Sequence, residues 1–150
     1  GGYGQDGGLF NDLFRYDFLL DSWVMISTGS ATLPSPRSSV GMTSIGSRLF
    51  VYGGSTLGGP CVLPQDFYTV YQAELFEFDL DRSQWTDLSS PAVEGMSPTG
   101  RCGQGFTSSS GRLVVFGGCT TSLQNDLWLL LPPTTVQWPD SEAAKVGLQP

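Results

Sequence analysis

The chain has 150 residues, a formal charge of −7 and an apolar fraction of 39%, which is the size of one ordinary domain with enough apolar surface for a core. Its one lysine and six scattered arginines form no basic patch, which excludes the counterion-displacing grip on phosphates that nucleic acids demand and disfavours anionic membrane surfaces. No run reaches the roughly 18 apolar residues that cross a bilayer, and 20 glycines with 10 prolines describe turns and short strands in an all-β chain.

In chain order, Gly1-Gly2 lead to NDLFRYD at 11–17 and then to Trp23, a third and a fourth strand. A complete unit follows. Residues 38–45 form its first strand, and Gly46-Ser47 is a two-residue hairpin with glycine first, as a type II′ turn requires. Residues 48–52 form a second strand ending in Gly53-Gly54. After a loop at 55–72, residues 74–80 alternate so that Phe76 and Phe78 share one face against Leu75 and Glu77, and 84–88, opened by Trp85, complete the unit. Arg101 begins another unit, with the Ser110-Gly111 turn, LVVF before Gly117-Gly118, NDLWLLL at 125–131 and Trp138.

These elements repeat. Arg37 precedes Gly53 by 16 positions and Arg101 precedes Gly117 by 16, while Trp23, Trp85 and Trp138 follow Asp12, Glu74 and Asp126 by 11, 11 and 12. Four landmarks recurring in one order are an internal repeat. The paired glycines are therefore punctuation rather than a phosphate loop, which would open a helix and carry Gly-Lys-Ser/Thr. LFVY and LVVF are apolar on both faces, so each second strand needs cover on both sides.

A Pro-x-Arg segment, a strand, a hairpin, a strand closed by Gly-Gly, an Asn-Asp-Leu-aromatic strand and a Trp together resemble the kelch family over nearly the whole chain. Val40 and Gln104 stand where many kelch repeats carry His, and Glu74 where Asp is usual. The resemblance implies blades of four antiparallel strands belonging to a β-propeller. Residues 1–34 would supply the end of a blade and a connection, 35–90 a complete blade with its long loop at 55–72, 91–142 a second, and 143–150 the start of the next. Propellers close with at least four blades. The expectation is therefore a fragment of an incomplete propeller, partnered by further blades in the same chain or another.

Gly53, Gly54, Gly117 and Gly118, with Trp23, Trp85 and Trp138, are expected to be structural: the glycines permit positive φ and close approach, and the tryptophans fill interblade space. The loop at 55–72 is the longest connection, and it emerges on the same face as the segments before Arg37 and Arg101. In kelch proteins that face often binds partners. Asp66, Phe67, Tyr68 and Tyr71 would make an aromatic, mildly acidic contact surface, or the aromatics would pack the loop on its own blade. Arg37 and Arg101 could grip an acidic peptide or phosphate, or serve interblade and backbone hydrogen bonding.

The Ser110-Gly111 turn sets a register in which Cys102 and Cys119 lie opposite each other, at a separation compatible with a disulfide. With Cys61 left over and no metal-ligand spacing, free thiols and a reducing, cytoplasmic compartment are favoured. There is no histidine, which removes Ser-His-Asp and Cys-His chemistry and the commonest metal ligand. No cofactor, metal or catalytic residue is expected. Function is expected to be a scaffold or adaptor that binds protein through the loop face; the alternative is a propeller accessory to, or part of, a larger enzyme.

Overall fold

The computed structural model describes residues 1–56, 69–89 and 97–131. In this range the chain is built from short antiparallel strands. The ribbon of β1 (Gly2–Tyr3) and β2 (Leu9–Phe10) leads into a hairpin of β3 (Phe14–Asp17) and β4 (Ser22–Met25). Next come β5 (Gly41–Ile45) and β6 (Arg48–Tyr52), a second ribbon of β7 (Ser55–Thr56) and β8 (Val70–Tyr71), then β9 (Leu75–Asp79) and β10 (Gln84–Asp87). β5, β6, β9 and β10 form one sheet in the order β10-β9-β6-β5. A three-stranded sheet of β11 (Gly105–Ser109), β12 (Arg112–Phe116) and β13 (Leu127–Leu130) completes the described chain. No helix of the described residues is long and apolar enough to cross a membrane.

Local chemistry sets the turns. Gly46 takes φ 57° at the first turn position, and Ile45 faces Arg48 across it. Ser110 and Gly111 both take positive φ, at 49° and 72°, the type I′ signature that matches strand twist. The β3–β4 and β9–β10 turns share another device. Asp17 Oδ1 accepts the N–H groups of Leu19 and Leu20, and Asp79 Oδ1 those of Asp81 and Arg82.

The four-stranded sheet is covered on both faces, as the apolar LFVY strand requires. On one side Phe50, Tyr52 and Leu75 pack against Leu113 and Val115 of β12. On the other, Val51, Phe76, Phe78 and Trp85 form a cluster joined by Leu13 and Ile26 from the first hairpin. Glycine makes the first contact possible: a Cβ on Gly41 would lie 2.4 Å from the Cβ of Phe106. The alternation at 74–80 therefore does not divide buried from exposed. Phe76 and Phe78 face one neighbouring sheet while Leu75 faces the other, and Glu77, buried among them, pairs with Arg48 at 2.5 Å.

The outermost faces lack this cover. Trp85 is 9% exposed, with its ring 4.9 Å from Phe78. Trp23, at the equivalent place, is 67% exposed because no further sheet among the described residues lies over it. LVVF is likewise covered on one face only: Leu113 and Val115 are buried and Phe116 is 56% exposed. Trp138 lies outside the described residues.

Two expectations are corrected here. Ser38 makes an isolated bridge to Ser55, so the first strand of the complete unit begins at Gly41. Cys102 is disulfide-bonded, so the expectation of free thiols does not hold at that position. Cys61 lies outside the described residues.

Candidate functional site

Antiparallel order places the end of β6, the starts of β5 and β9, and the end of β10 on one side of the four-stranded sheet. The Gly-Gly pairs, the two ribbons and the segments leading to Arg37 and Arg101 therefore gather on that face. The tight hairpins at Gly46-Ser47 and Ser110-Gly111 lie on the other. Neighbouring sheets are joined at the Gly-Gly end by backbone bonds: Gly2 donates to the Arg37 carbonyl at 3.0 Å and Gly54 to the Arg101 carbonyl at 2.8 Å. A Cβ on Gly53 would stand 2.6 Å from that Arg101 oxygen, and φ there is 73°, so both demands fall on glycine.

The two arginines are used alike. Arg37, 2% exposed, donates to the Ser35 and Gly53 carbonyls, to Ser35 Oγ and to Glu74 Oε2 at 2.5 Å, and its guanidinium lies 5.5 Å from the Phe76 ring. Arg101, 1% exposed, donates to the Thr99 and Gly117 carbonyls, to Thr99 Oγ1, and to both Asp126 oxygens at 2.5 and 2.9 Å. This fork-to-fork pair holds the Asp126 carboxyl well below the usual carboxylate range, with help from the Trp128 indole at 2.6 Å, and raises the Arg101 guanidinium. Guanidinium groups so occupied tie the start of each unit to its own glycine turn.

Two crosslinks were invisible in the sequence. The Tyr52 hydroxyl donates to the Pro98 carbonyl at 2.9 Å, and burial pushes its pKa up to about 12. Gln104, where many kelch repeats carry His, donates to the Tyr52 carbonyl at 2.7 Å and keeps its Oε1 without a partner among the described residues. Tyr52 looks like any strand aromatic; the carbonyls it meets lie 46 and 47 positions away.

The long connection begins and ends on the β7–β8 ribbon, in which Ser55 faces Tyr71 and Thr56 faces Val70. Gln72 donates to the Gly54 carbonyl at 2.9 Å and to Thr56 Oγ1 at 2.7 Å, so the base of the loop is fastened. Tyr71 is half-buried, and its hydroxyl is raised above the ordinary value by burial and then by nearby Cys119. Asp66, Phe67 and Tyr68 lie outside the described residues. Exposed apolar side chains on this face include Tyr3, Phe10, Val70 and Leu123. Among the described residues no group of three or more His, Cys, Asp or Glu side chains is placed to hold a metal ion.

Comparison with known proteins agrees with this geometry. Residues 1–149 match the family model described as the KLHDC2/KLHL20/DRC7 Kelch-repeats domain. The chain is similar to the Rho GTPase-activating protein gacHH of Dictyostelium discoideum, 30% identical over 129 residues that cover 86% of this chain and 8% of that one. It is 29% identical to Tip elongation aberrant protein 3 of Schizosaccharomyces pombe over 91% of this chain and 13% of that protein. It is 31% identical to Kelch domain-containing protein 2 of Bos taurus over 69% of this chain and 22% of that protein. The chain thus spans less than a quarter of each of these relatives.

Proposed function

Because this chain belongs to the kelch-repeat family, we propose that it is a non-enzymatic protein-interaction segment, a scaffold or adaptor that binds a protein through its Gly-Gly face. Residues 35–90 and 91–142 would be two blades, 1–34 the end of another and 143–150 the approach to the next. Further blades, in the same chain or a partner, would cover Trp23 and Phe116. One observation carries the reading: the 55–72 connection, the longest in the chain, is fastened at its base by β7, β8 and Gln72. A loop held at its stem and free in sequence suits recognition. Tyr71, with Asp66, Phe67 and Tyr68, supplies the contact candidates. Arg37 and Arg101 enter this reading as struts, since their donors are spent on carbonyls and carboxylates within the fold.

A second reading, a propeller accessory to, or part of, a larger enzyme whose catalytic residues lie outside this stretch, is prompted by the Rho GTPase-activating relative, of which the matched stretch is only 8%. Crosslinking mass spectrometry of the protein with its recovered partners separates the two. Crosslinks on the Gly-Gly face, lost when 57–68 is replaced by a Gly-Ser linker, support the adaptor. Partner binding unchanged by that replacement sinks it.

A further inference from the structure

The β3–β4 and β9–β10 turns have the same backbone and different side chains. Asp17 faces Ser22 and Asp79 faces Gln84, so the turns are residues 18–21 and 80–83. One aspartate oxygen accepts two turn amides in each, at 2.9 to 3.1 Å, and Asp21 and Ser83 close them with φ of 49° and 53°. Beyond the strands, Ile26 donates to the Leu13 carbonyl and Leu88 to the Leu75 carbonyl, both at 2.8 Å. Into this one geometry the first unit places Phe18, Leu19 and Leu20, and the second places Leu80, Asp81 and Arg82. The Leu80 amide donates to the Ser47 carbonyl at 3.0 Å, which sets the turn beside the Gly46-Ser47 hairpin and opposite the Gly-Gly face. The first turn takes the corresponding place in its own unit.

Phe18, Leu19 and Leu20 are 88%, 97% and 71% exposed. Stacking of further sheets does not account for them. The second turn belongs to a sheet covered on both faces, yet Leu80 is 45% exposed and Asp81 and Arg82 are exposed too. Neighbouring sheets therefore cover the strands and leave these turn positions open. Nor does the turn itself demand apolar side chains, since Asp81 and Arg82 satisfy it. Single exposed leucines are ordinary, but three consecutive apolar residues that the fold neither needs nor buries mark a contact surface. The turn is also held in place: the Tyr16 hydroxyl donates to Asp21 Oδ1, and the Tyr16 ring meets Phe18 edge-on at 5.1 Å and Trp23 at 5.2 Å. A surface already ordered loses little entropy on docking.

We propose that Phe18, Leu19 and Leu20 form a second docking surface, an apolar knuckle that inserts into an apolar pocket with a basic rim on a protein partner. Charge complementarity selects that occupant. Asp17 and Asp21 bracket the three apolar residues, and the chain carries a formal charge of −7, so Lys or Arg around the pocket would steer and orient the encounter. The same charge opposes an anionic bilayer, which attracts basic segments. Leu19, the most exposed of the three, fills the centre of the pocket, while Asp17 and Asp21 meet its rim. This surface is separate from the Gly-Gly face and stands whether or not that face binds a partner.

The test is photocrosslinking of the full chain in its native cells, with Phe18→p-benzoylphenylalanine as the probe and Leu80→p-benzoylphenylalanine as the control at the equivalent position. Position 18 should give a protein adduct in roughly tenfold higher yield than position 80, and mass spectrometry should place the crosslink in a partner segment that combines apolar residues with Lys or Arg. Adding Leu19→Asp with Leu20→Arg to the position 18 probe should cut the yield roughly tenfold. That pair should leave the melting temperature unchanged, because Asp81 and Arg82 already occupy the same turn. Equal yields at 18 and 80, or an adduct that survives the double substitution, overturns the proposal. So does an adduct with lipid, with a second copy of this chain, or with a segment lacking that composition. A lowered melting temperature for the double variant would assign the leucines to the fold and overturn it as well.

Discussion

The amide of Gly54 donates to the carbonyl of Arg101 across 2.8 Å, while the guanidinium of the same arginine reaches the Gly117 carbonyl at 2.9 Å. One residue thus binds the glycine turn of the sheet before it through its backbone and the glycine turn of its own sheet through its side chain. Arg37 does the same between Gly2 and Gly53. The repeat spacing of 16 between arginine and glycine is the length of chain that this crossbeam spans.

Removing the crossbeam should be costly. Arg101→Ala strips the guanidinium bonds from the Gly117 and Thr99 carbonyls and from Asp126, which keeps only the Trp128 indole beside it, and is expected to destabilise by about 3 to 5 kcal/mol in denaturant melts. Arg101→Lys should recover less than half of that, since an ammonium cannot serve both Asp126 oxygens and two carbonyls as the planar fork does. A cost below about 1 kcal/mol for the alanine variant would remove the strut role.

Two equivalent tryptophans should differ. Trp85→Ala should cost about 3 to 5 kcal/mol, because it empties a packed site between Phe76, Phe78 and the first hairpin. Trp23→Ala should cost under about 1 kcal/mol in this chain, where the ring is 67% exposed. Equal costs in the two melts would show that sheet packing does not set the value of this position.

A pair of glycines makes the same point through sterics. Gly41→Ala drives a methyl group to 2.4 Å from Phe106 Cβ and should destabilise by about 1 to 3 kcal/mol. At Gly105, the equivalent position in the next unit, an added Cβ meets nothing closer than 3.6 Å, so Gly105→Ala should be neutral or slightly stabilising. Thermal melts of the two variants decide it; a destabilised Gly105→Ala would show that its neighbours do not set the cost.

Acid should loosen the crossbeam. The Asp126 carboxyl is lowered on folding, first by Arg101 and then by Trp128. A carboxyl lowered in the folded state contributes its full stability above the ordinary value of about 3.9 and loses it as pH falls from there toward the folded value. Urea melts from about pH 6 to about pH 2 should therefore show a steeper loss below about pH 4 in the parent than in Asp126→Asn, which starts weaker. Parallel curves would mean that another carboxyl governs the acid limb.

Blade identity was legible in one dimension because it rests on local chemistry. A hairpin needs Gly46 or Gly111 at a defined turn position, a twice-covered strand needs apolar residues throughout, and the 64-residue echo of Arg37 and Gly53 in Arg101 and Gly117 is visible without coordinates. The register across Ser110-Gly111 follows from the turn, and it places Cys102 opposite Cys119 as the spacing implies. Whether a given position is buried was not legible in the same way. Trp23 and Trp85 share a motif and differ in exposure because burial depends on which sheet lies alongside, a relationship between distant segments. The partners of Arg37 and Arg101, the reach of Tyr52 to Pro98 and the disulfide at Cys102 were likewise decided by tertiary packing. Periodicity and turn chemistry are properties of neighbours along the chain, whereas covering a face, neutralising a buried charge and bringing two sulfurs together require segments that meet only when the sheets stack.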